Sequence, residues 1–396
     1  MSIHSVRLRP KHDRRIRGGH PWVFSNELEG DVSALPSGET VDVLDAKGAF
    51  LGRGYANPKS LIAIRILSRR REDIDHPSFW TNRIRSALNY RTTALPGRTS
   101  YRLVHAEGDG LPGLVVDRYG DWLAVQLTTL GMEHRKELIA NALREVVEPA
   151  GAVLRSEGRS RQLEGLEDEC AVWFGDAPEH VDIEEYGVKF RVPLLSGAKT
   201  GHFFDQAQNR HFAASLCKGR RVLDVYANGG GWALHALVNG AEHATTIDKS
   251  LECCDRTEVN GELNGVAPQM EIIQGEGKKT LQWLVQQQEQ FGVVVLDPPA
   301  FAKTRKAAGN ALRGYGEINA LGLSLVEQGG FFFSSSCSYH IEEDRFLDEI
   351  VKAADKVHRR LRIVRRGEQS SDHPVSPSVP ETRYLKSYAF QVELKA

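Results

Sequence analysis

Four short apolar runs in the second half of the chain end on residues able to do chemistry. The first reads Val222-Leu223-Asp224-Val225-Tyr226-Ala227-Asn228-Gly229-Gly230-Gly231, an apolar burst with an acid near its end and then three glycines that let backbone approach a ligand closely. The next ends in Asp248, 24 residues after Asp224, about where a carboxylate grips ribose hydroxyls in nucleoside-binding sheets. A third is followed by Asp297-Pro298-Pro299-Ala300-Phe301. Its two prolines remove backbone donors and stiffen the exit, which suits a clamp on a flat heterocyclic base. The fourth runs into Ser334-Ser335-Ser336-Cys337-Ser338, placing a thiol among hydroxyls where a nucleophile is useful.

Such residues need a scaffold that gathers strand ends. From about residue 191, apolar bursts at Arg221 to Val225, Thr245 to Asp248, Glu271 to Ile273, Val293 to Leu296 and Phe331 to Ser334 alternate with helical patterns such as Leu251 to Leu263 and Thr280 to Gln290. That rhythm predicts an α/β fold, a doubly wound, mostly parallel sheet whose ligand crevice lies beyond the carboxyl ends of the strands. The glycine spacing departs from the G-x-G-x-x-G fingerprint of nicotinamide proteins, so a dehydrogenase is disfavoured.

The first half reads differently. Arg7, Arg9, Lys11, Arg14, Arg15 and Arg17 surround a single acid, Asp13, ahead of His20-Pro21-Trp22-Val23-Phe24. This predicts a basic face beside an aromatic pair, suited to phosphates and stacked bases, and Arg65, Arg69, Arg70 and Arg71 extend it. Strand patterns at Thr40 to Leu44, Phe50 to Gly54 and Ile62 to Ile66 make residues 1–72 a small β-rich domain. Residues 73–190 mix a helix near Phe79 to Tyr90, strands at Gly113 to Asp117 and Trp122 to Leu127, a helix near His134 to Val147 and short strands after it, an α+β domain. Residues 191–396 form the sheet domain.

Composition narrows the classes. Lys and Arg total 51 against 52 Asp and Glu, so any nucleic-acid surface must come from local clustering. No apolar run approaches the roughly 20 residues of a membrane span, and the basic start lacks the apolar centre of a signal peptide, so a soluble, cytoplasmic protein is expected. The 5 cysteines are scattered without CxxC spacing; neither a disulfide framework nor a metal site is predicted.

Taken together, Asp224 to Gly230, Asp248, Asp297-Pro298-Pro299-Ala300-Phe301 and Ser336-Cys337-Ser338 resemble class I S-adenosylmethionine-dependent methyltransferases. More narrowly, they resemble the bacterial ribosomal large-subunit methyltransferase I family, which makes 5-methylcytosine in 23S rRNA. The likeness continues in His20 to Phe24, similar to the family's N-terminal PUA module, in Tyr101 to Leu114, in Lys199 to Gln206, and in Asp372-His373-Pro374 with Tyr384-Leu385-Lys386. It thus runs through nearly the whole chain in order.

The resemblance implies S-adenosyl-L-methionine as cofactor, with its methionine part near Phe204, Asp205, Gln206 and the turn Tyr226, Ala227, Asn228, Gly229 and Gly230, and with Asp224 and Asp297 also among the cofactor-binding residues. Asp248 is then the ribose ligand. Glu276 stands where the family offers Asp or Asn to the adenine amino group. It also implies 23S rRNA or the assembling large subunit as partner, and a homodimer. In this reading Cys337 adds as a thiolate to carbon 6 of cytosine, Asp297 hydrogen-bonds the base edge, and Ser336 and Ser338 assist the thiol. RNA contacts fall to Arg7, Arg14, Arg15 and Arg17, and at the lip of the site to Pro298, Pro299, Phe301 and Lys303. Two alternatives stand beside it: methylation of an exocyclic amine, which needs no cysteine, and a non-catalytic RNA-binding assembly factor.

Overall fold

The computed structural model describes residues 3–196, 200–302 and 304–395. Two compact units divide the chain. The first contains Met1–Ile183, Val192–Phe204 and Ser371–Thr382, and the second Glu184–Arg191, Asp205–Ser370 and Arg383–Ala396.

The first unit holds two five-stranded sheets. In the N-terminal one, His4–Arg7 runs parallel to Thr40–Leu44, which continues antiparallel through Phe50–Ala56 and Ile62–Ser68 to Trp22–Phe24. Val41, Val43, Ile64 and Ile66 supply its core. Gly54 is obligatory there, because a Cβ at this position would lie 2.0 Å from the Arg65 carbonyl oxygen. The other sheet has the order Glu169–Phe174, Gly151–Ser156, Trp122–Leu127, Leu114–Tyr119, Ser100–His105. Helices Pro77–Ala94 and Lys136–Val147 belong to the same layer, with Trp80, Ile84, Ile139 and Leu143 buried in the shared core. The helix expected near His134 to Val147 runs Lys136–Val147, and a separate short helix, Leu130–His134, precedes it.

The second unit is built on a seven-stranded sheet. Its strands are β1 (Arg221–Val225), β2 (His243–Asp248), β3 (Met270–Gln274), β4 (Phe291–Leu296), β5 (Val326–Ser336), β6 (Arg359–Gly367) and β7 (Lys386–Leu394). The order is β3-β2-β1-β4-β5-β7-β6, and only β7 runs against the rest. β4 is buried along its whole length, as a central parallel strand must be. Glu343–Lys356 shows why its helix docks: Phe346, Ile350, Ala353 and Ala354 fall on one face and are buried, while acids open its first turn.

The five expected strands are present, four of them two to seven residues longer than their apolar cores. The last two strands were not anticipated. β6 carries five arginines and is largely exposed at the sheet edge, so its backbone ladder, not apolar alternation, defines it. Among the described residues, no helix is long and apolar enough to cross a membrane.

Candidate active site

The loop after β1 is an unusual piece of backbone. Tyr226, Asn228 and Gly230 all have positive φ, at 69°, 54° and 76°, which glycine accepts freely but tyrosine adopts only under constraint. The constraint comes from β2: Tyr226 N and Ala227 N both donate to the Ile247 carbonyl, at 2.9 and 3.1 Å, and Asn228 N donates to Asp248 Oδ2 at 2.9 Å. Arg256 and Asn260 tie the turn from the next helix, to Asn228 Oδ1 at 2.5 Å and to the Gly229 carbonyl at 3.0 Å. The Tyr226 ring rests against Gly277, where a Cβ would come within 2.7 Å of it. Burial and then the neighbouring Glu276 push the Tyr226 phenol up to about 12.

Four acids meet around this turn. Asp224 is fully buried, with Oδ2 accepting from Ala233 N at 3.1 Å and Oδ1 lacking a partner among the described residues. It therefore holds the helix start from beneath and is not presented at the surface of the turn. Burial, reinforced by Asp297 and Asp248, pushes its carboxyl up to about 7. Asp297 accepts from Gln206 Nε2 at 3.0 Å and Trp232 Nε1 at 3.2 Å, and burial, with Asp205 nearby, raises it to about 6. Asp205 Oδ2 accepts from Tyr384 OH at 2.7 Å. Phe204 is 1% exposed and lies in the first unit between Tyr119 and His202, at ring distances of 5.3 and 5.0 Å.

Parallel register aligns the chemistry. Val225 pairs with Leu296 and Leu296 with Ser334, so Asp297 and Cys337 leave the same end of the sheet on neighbouring strands, Cys337 two residues further along. Cys337 is half-buried. Ser336 Oγ accepts from Ser338 N at 3.3 Å, and Ser338 Oγ accepts from Ala302 N at 3.3 Å and lies 3.2 Å from Tyr315 OH. Both hydroxyls thus brace the loop. Pro298 is buried, Pro299 exposed, and Phe301 packs on Tyr315 at 4.6 Å. Lys303 lies outside the described residues.

Sequence reasoning assigned no role to three neighbours of this edge. Trp232 is the first helical residue but one after the glycines, Tyr384 lies before the last strand, and Lys386 opens that strand opposite Ser336. Only the family resemblance of Tyr384-Leu385-Lys386 pointed towards the last two.

At the N-terminal module the arginines split into two kinds. Arg7 and Arg14 are exposed and make no ion pair among the described residues. Arg15 is spent internally, on Glu27 at 3.0 Å, the Trp22 carbonyl at 2.8 Å and the face of Phe24 at 4.7 Å. Arg17 binds Asp13 and Asp45. Arg65, expected on the basic face, is instead buried against Glu164 at 2.8 Å.

The sequence matches the PUA-like domain family over residues 6–69 and the S-adenosylmethionine-dependent methyltransferase family over residues 101–390. A ribosomal RNA large subunit methyltransferase I from Photobacterium profundum is 35% identical over 394 residues, covering 98% of this chain and 99% of the relative. The chain belongs to the ribosomal RNA large subunit methyltransferase I family. The same-named protein of Vibrio parahaemolyticus is 36% identical over 387 residues, covering 96% and 97% of the two chains. In fold, this methyltransferase matches a putative SAM-dependent methyltransferase of Streptococcus mutans with a TM-score of 0.84 at 19% identity, over 98% of this chain and all of the other. A putative methyltransferase complexed with SAH matches at 0.85 and 20%, over 99% of this chain and 100% of the other.

The cofactor of the family is S-adenosyl-L-methionine, and the acid cluster fits it. A sulfonium is a cation, and Asp205, Asp224, Asp248 and Asp297 concentrate negative charge, which burial makes costly at Asp224 and Asp297 without a cation beside them. The same cost makes the ligand-free protein sensitive to pH. Asp224 ionises near pH 4 in the unfolded chain and near 7 when folded, so across that window the folded state keeps an extra proton and stability falls as pH rises. Asp224→Asn is expected to flatten this slope, removing on the order of 1–3 kcal/mol of loss. Thermal melts of the two ligand-free proteins from pH 5 to 8 check it; parallel profiles would refute it.

Proposed function

We propose that this methyltransferase forms 5-methylcytosine in 23S rRNA by way of a covalent Cys337 adduct. The observation that carries the reading is the register that sets Cys337 and Asp297 on adjoining strand ends at the acid-rich glycine turn. The names of the relatives support the RNA class, and the PUA-like module with its exposed Arg7 and Arg14 supports RNA engagement.

Carbon 5 of cytosine is a poor nucleophile. When the Cys337 thiolate bonds to carbon 6, the ring's π-electrons shift towards carbon 5, which becomes enamine-like and takes the methyl group. The cofactor supplies that methyl as an electrophile. Asp297, its carboxyl raised to about 6 by burial, retains a share of protons near neutrality and can hydrogen-bond ring nitrogen 3 as charge builds there. Loss of the carbon-5 proton restores the ring double bond and expels the thiolate. Gln206 and Trp232 fix both carboxylate oxygens of Asp297 for this task. Pro299 and Phe301 border the loop on which the base would rest.

Asp248 is assigned to the ribose. Its two oxygens already order the turn and the next helix, through Asn228 N at 2.9 Å and Ser250 N at 3.0 Å. Asp248→Ala is therefore expected to weaken S-adenosylmethionine binding by about 10- to 100-fold, read by calorimetry; unchanged affinity would move the ribose elsewhere.

The test of the reaction is nucleoside mass spectrometry of unmodified 23S rRNA incubated with protein and S-adenosylmethionine. 5-Methylcytosine is the expected product. A methyl on an exocyclic amine would overturn the assignment, and so would a protein that binds no cofactor.

A further inference from the structure

A thiol needs help to be a thiolate at neutral pH, since a free cysteine ionises near ~8.5. The hydroxyls of Ser336 and Ser338 are engaged in bracing the loop. Lys386 is a buried cation of that edge whose charge interacts with Cys337. It is 9% exposed and opens β7 directly opposite Ser336, the residue before Cys337. Its Nζ donates to two carbonyls of the loop that follows the cysteine, Ser338 O at 2.7 Å and Ile341 O at 3.0 Å. Two hydrogen bonds leave one of the three ammonium positions, and Lys386 makes no ion pair among the described residues.

The surrounding charges explain why. Glu343, at the start of its helix, is the acid facing Lys386, and it is already taken by Arg366 at 2.9 Å, Arg383 at 3.2 Å and Tyr388 OH at 2.8 Å. Arg383 repels the lysine, whereas Cys337 and Glu343 favour its charge. From the neighbouring helix, Tyr315 OH reaches Ser338 Oγ and also feels the charge of Cys337. Of the two groups that favour the ammonium, Cys337 weighs more than Glu343.

We propose that Lys386 is the positioning residue that keeps Cys337 ionised, taking the thiol proton onto Nζ so that an S–H bond is exchanged for an N–H bond. The inference rests on the cysteine-adduct reading above. The proton stays on Nζ while Sγ is bonded to carbon 6, and the ion pair re-forms when the thiolate is expelled. Consistent with this, burial draws the Lys386 ammonium down to about 8, close enough to a thiol for the proton to be shared.

Alkylation by iodoacetamide from pH 5 to 10, followed on the Cys337 peptide by mass spectrometry, reads the thiolate without RNA or turnover. Cys170 is the internal reference, its own thiol raised by burial, and a free cysteine peptide, ionising near ~8.5, marks the unshifted scale below which Cys337 must also fall. Wild-type Cys337 should reach half its limiting rate below the pH at which Cys170 does. Lys386→Gln should slow its alkylation at pH 7 at least tenfold, and Lys386→Arg should restore most of that rate. A Cys337 profile in the wild type no lower than that of Cys170 overturns the inference, as does a profile unmoved in Lys386→Gln that still binds S-adenosylmethionine. If Lys386→Gln does not fold, the wild-type and Lys386→Arg profiles decide. Nucleoside analysis separates the two ideas: 5-methylcytosine with a flat lysine effect removes only the role of Lys386, whereas a lysine-dependent thiolate with a different methylated product removes only the reaction.

Discussion

Cys337→Ala is expected to lower 5-methylcytosine formation on the order of 10⁴-fold or more while leaving S-adenosylmethionine affinity within a factor of about two. The cofactor contacts assigned above lie before β1 and at or after the ends of β1, β2, β3 and β4, whereas Cys337 follows β5, so removing the thiol deletes the covalent route and little else. Its half-buried position lets alanine occupy the loop without opening a large cavity. RNA carrying 5-fluorocytosine sharpens the test. Fluorine cannot leave carbon 5 as a proton does, so the wild-type protein should stay covalently attached and migrate as a protein–RNA species in a denaturing gel. The alanine variant should not. Retained activity in Cys337→Ala, with no trapped species in the wild type, would establish direct transfer to a nucleophile already present on the base.

The second large effect concerns a charge network that touches neither substrate. Glu185 is wholly buried and receives both arms of Arg210, at 2.8 and 2.9 Å, and the ring nitrogen of His235 lies 3.0 Å away. Arg210 → Met would strand the Glu185 carboxylate, and a broken buried pair costs about 3–5 kcal/mol. Glu185→Gln combined with Arg210→Met should recover much of the loss, because no buried charge is then left uncompensated. Arg210 also lowers the carboxyls of Asp224 and Asp297, so its loss should move to higher pH the limb on which methylation falls as Asp297 gives up its proton. Urea unfolding of the single and double variants measures the first effect, and a pH–rate profile the second. Equal destabilisation in both variants would show that the network contributes by packing alone.

These cases mark how far the sequence could be read. The parallel strands were legible because apolar bursts end in Asp224, Asp248, Asp297 and Cys337, and a parallel sheet delivers such ends to one edge. β6 was not, since an edge strand needs no buried face, and its arginines look like any charged segment. β7 is buried but lies far down the chain from the strand it completes. Long-range pairing of this kind has no local pattern. The same limit applies within the site. A glycine turn announces itself by composition, whereas antiparallel pairing returns Lys386 to a loop almost fifty residues earlier and Tyr384 meets Asp205 across 179 residues of chain. Among the basic residues, composition counted charges but not their partners, so Arg15, Arg17 and Arg65 looked as available as Arg7 and Arg14.

The chain changes unit five times, at Ile183, Arg191, Phe204, Ser370 and Thr382. In the first unit, Arg91 is wholly buried and donates to the Asp372 carbonyl at 2.7 Å, while Asp372 accepts from Arg102 N at 2.9 Å. During synthesis these partners are separated by about 270 residues of chain, so the first unit waits for almost the whole polypeptide before its polar interior is complete. Neither unit is then a module that can be cut free at one peptide bond. A nascent chain halted at Ser370 should expose Arg91 and the strand Ser100–His105 to proteases that the finished protein resists, which makes the last translated segment the fastener of the first translated half.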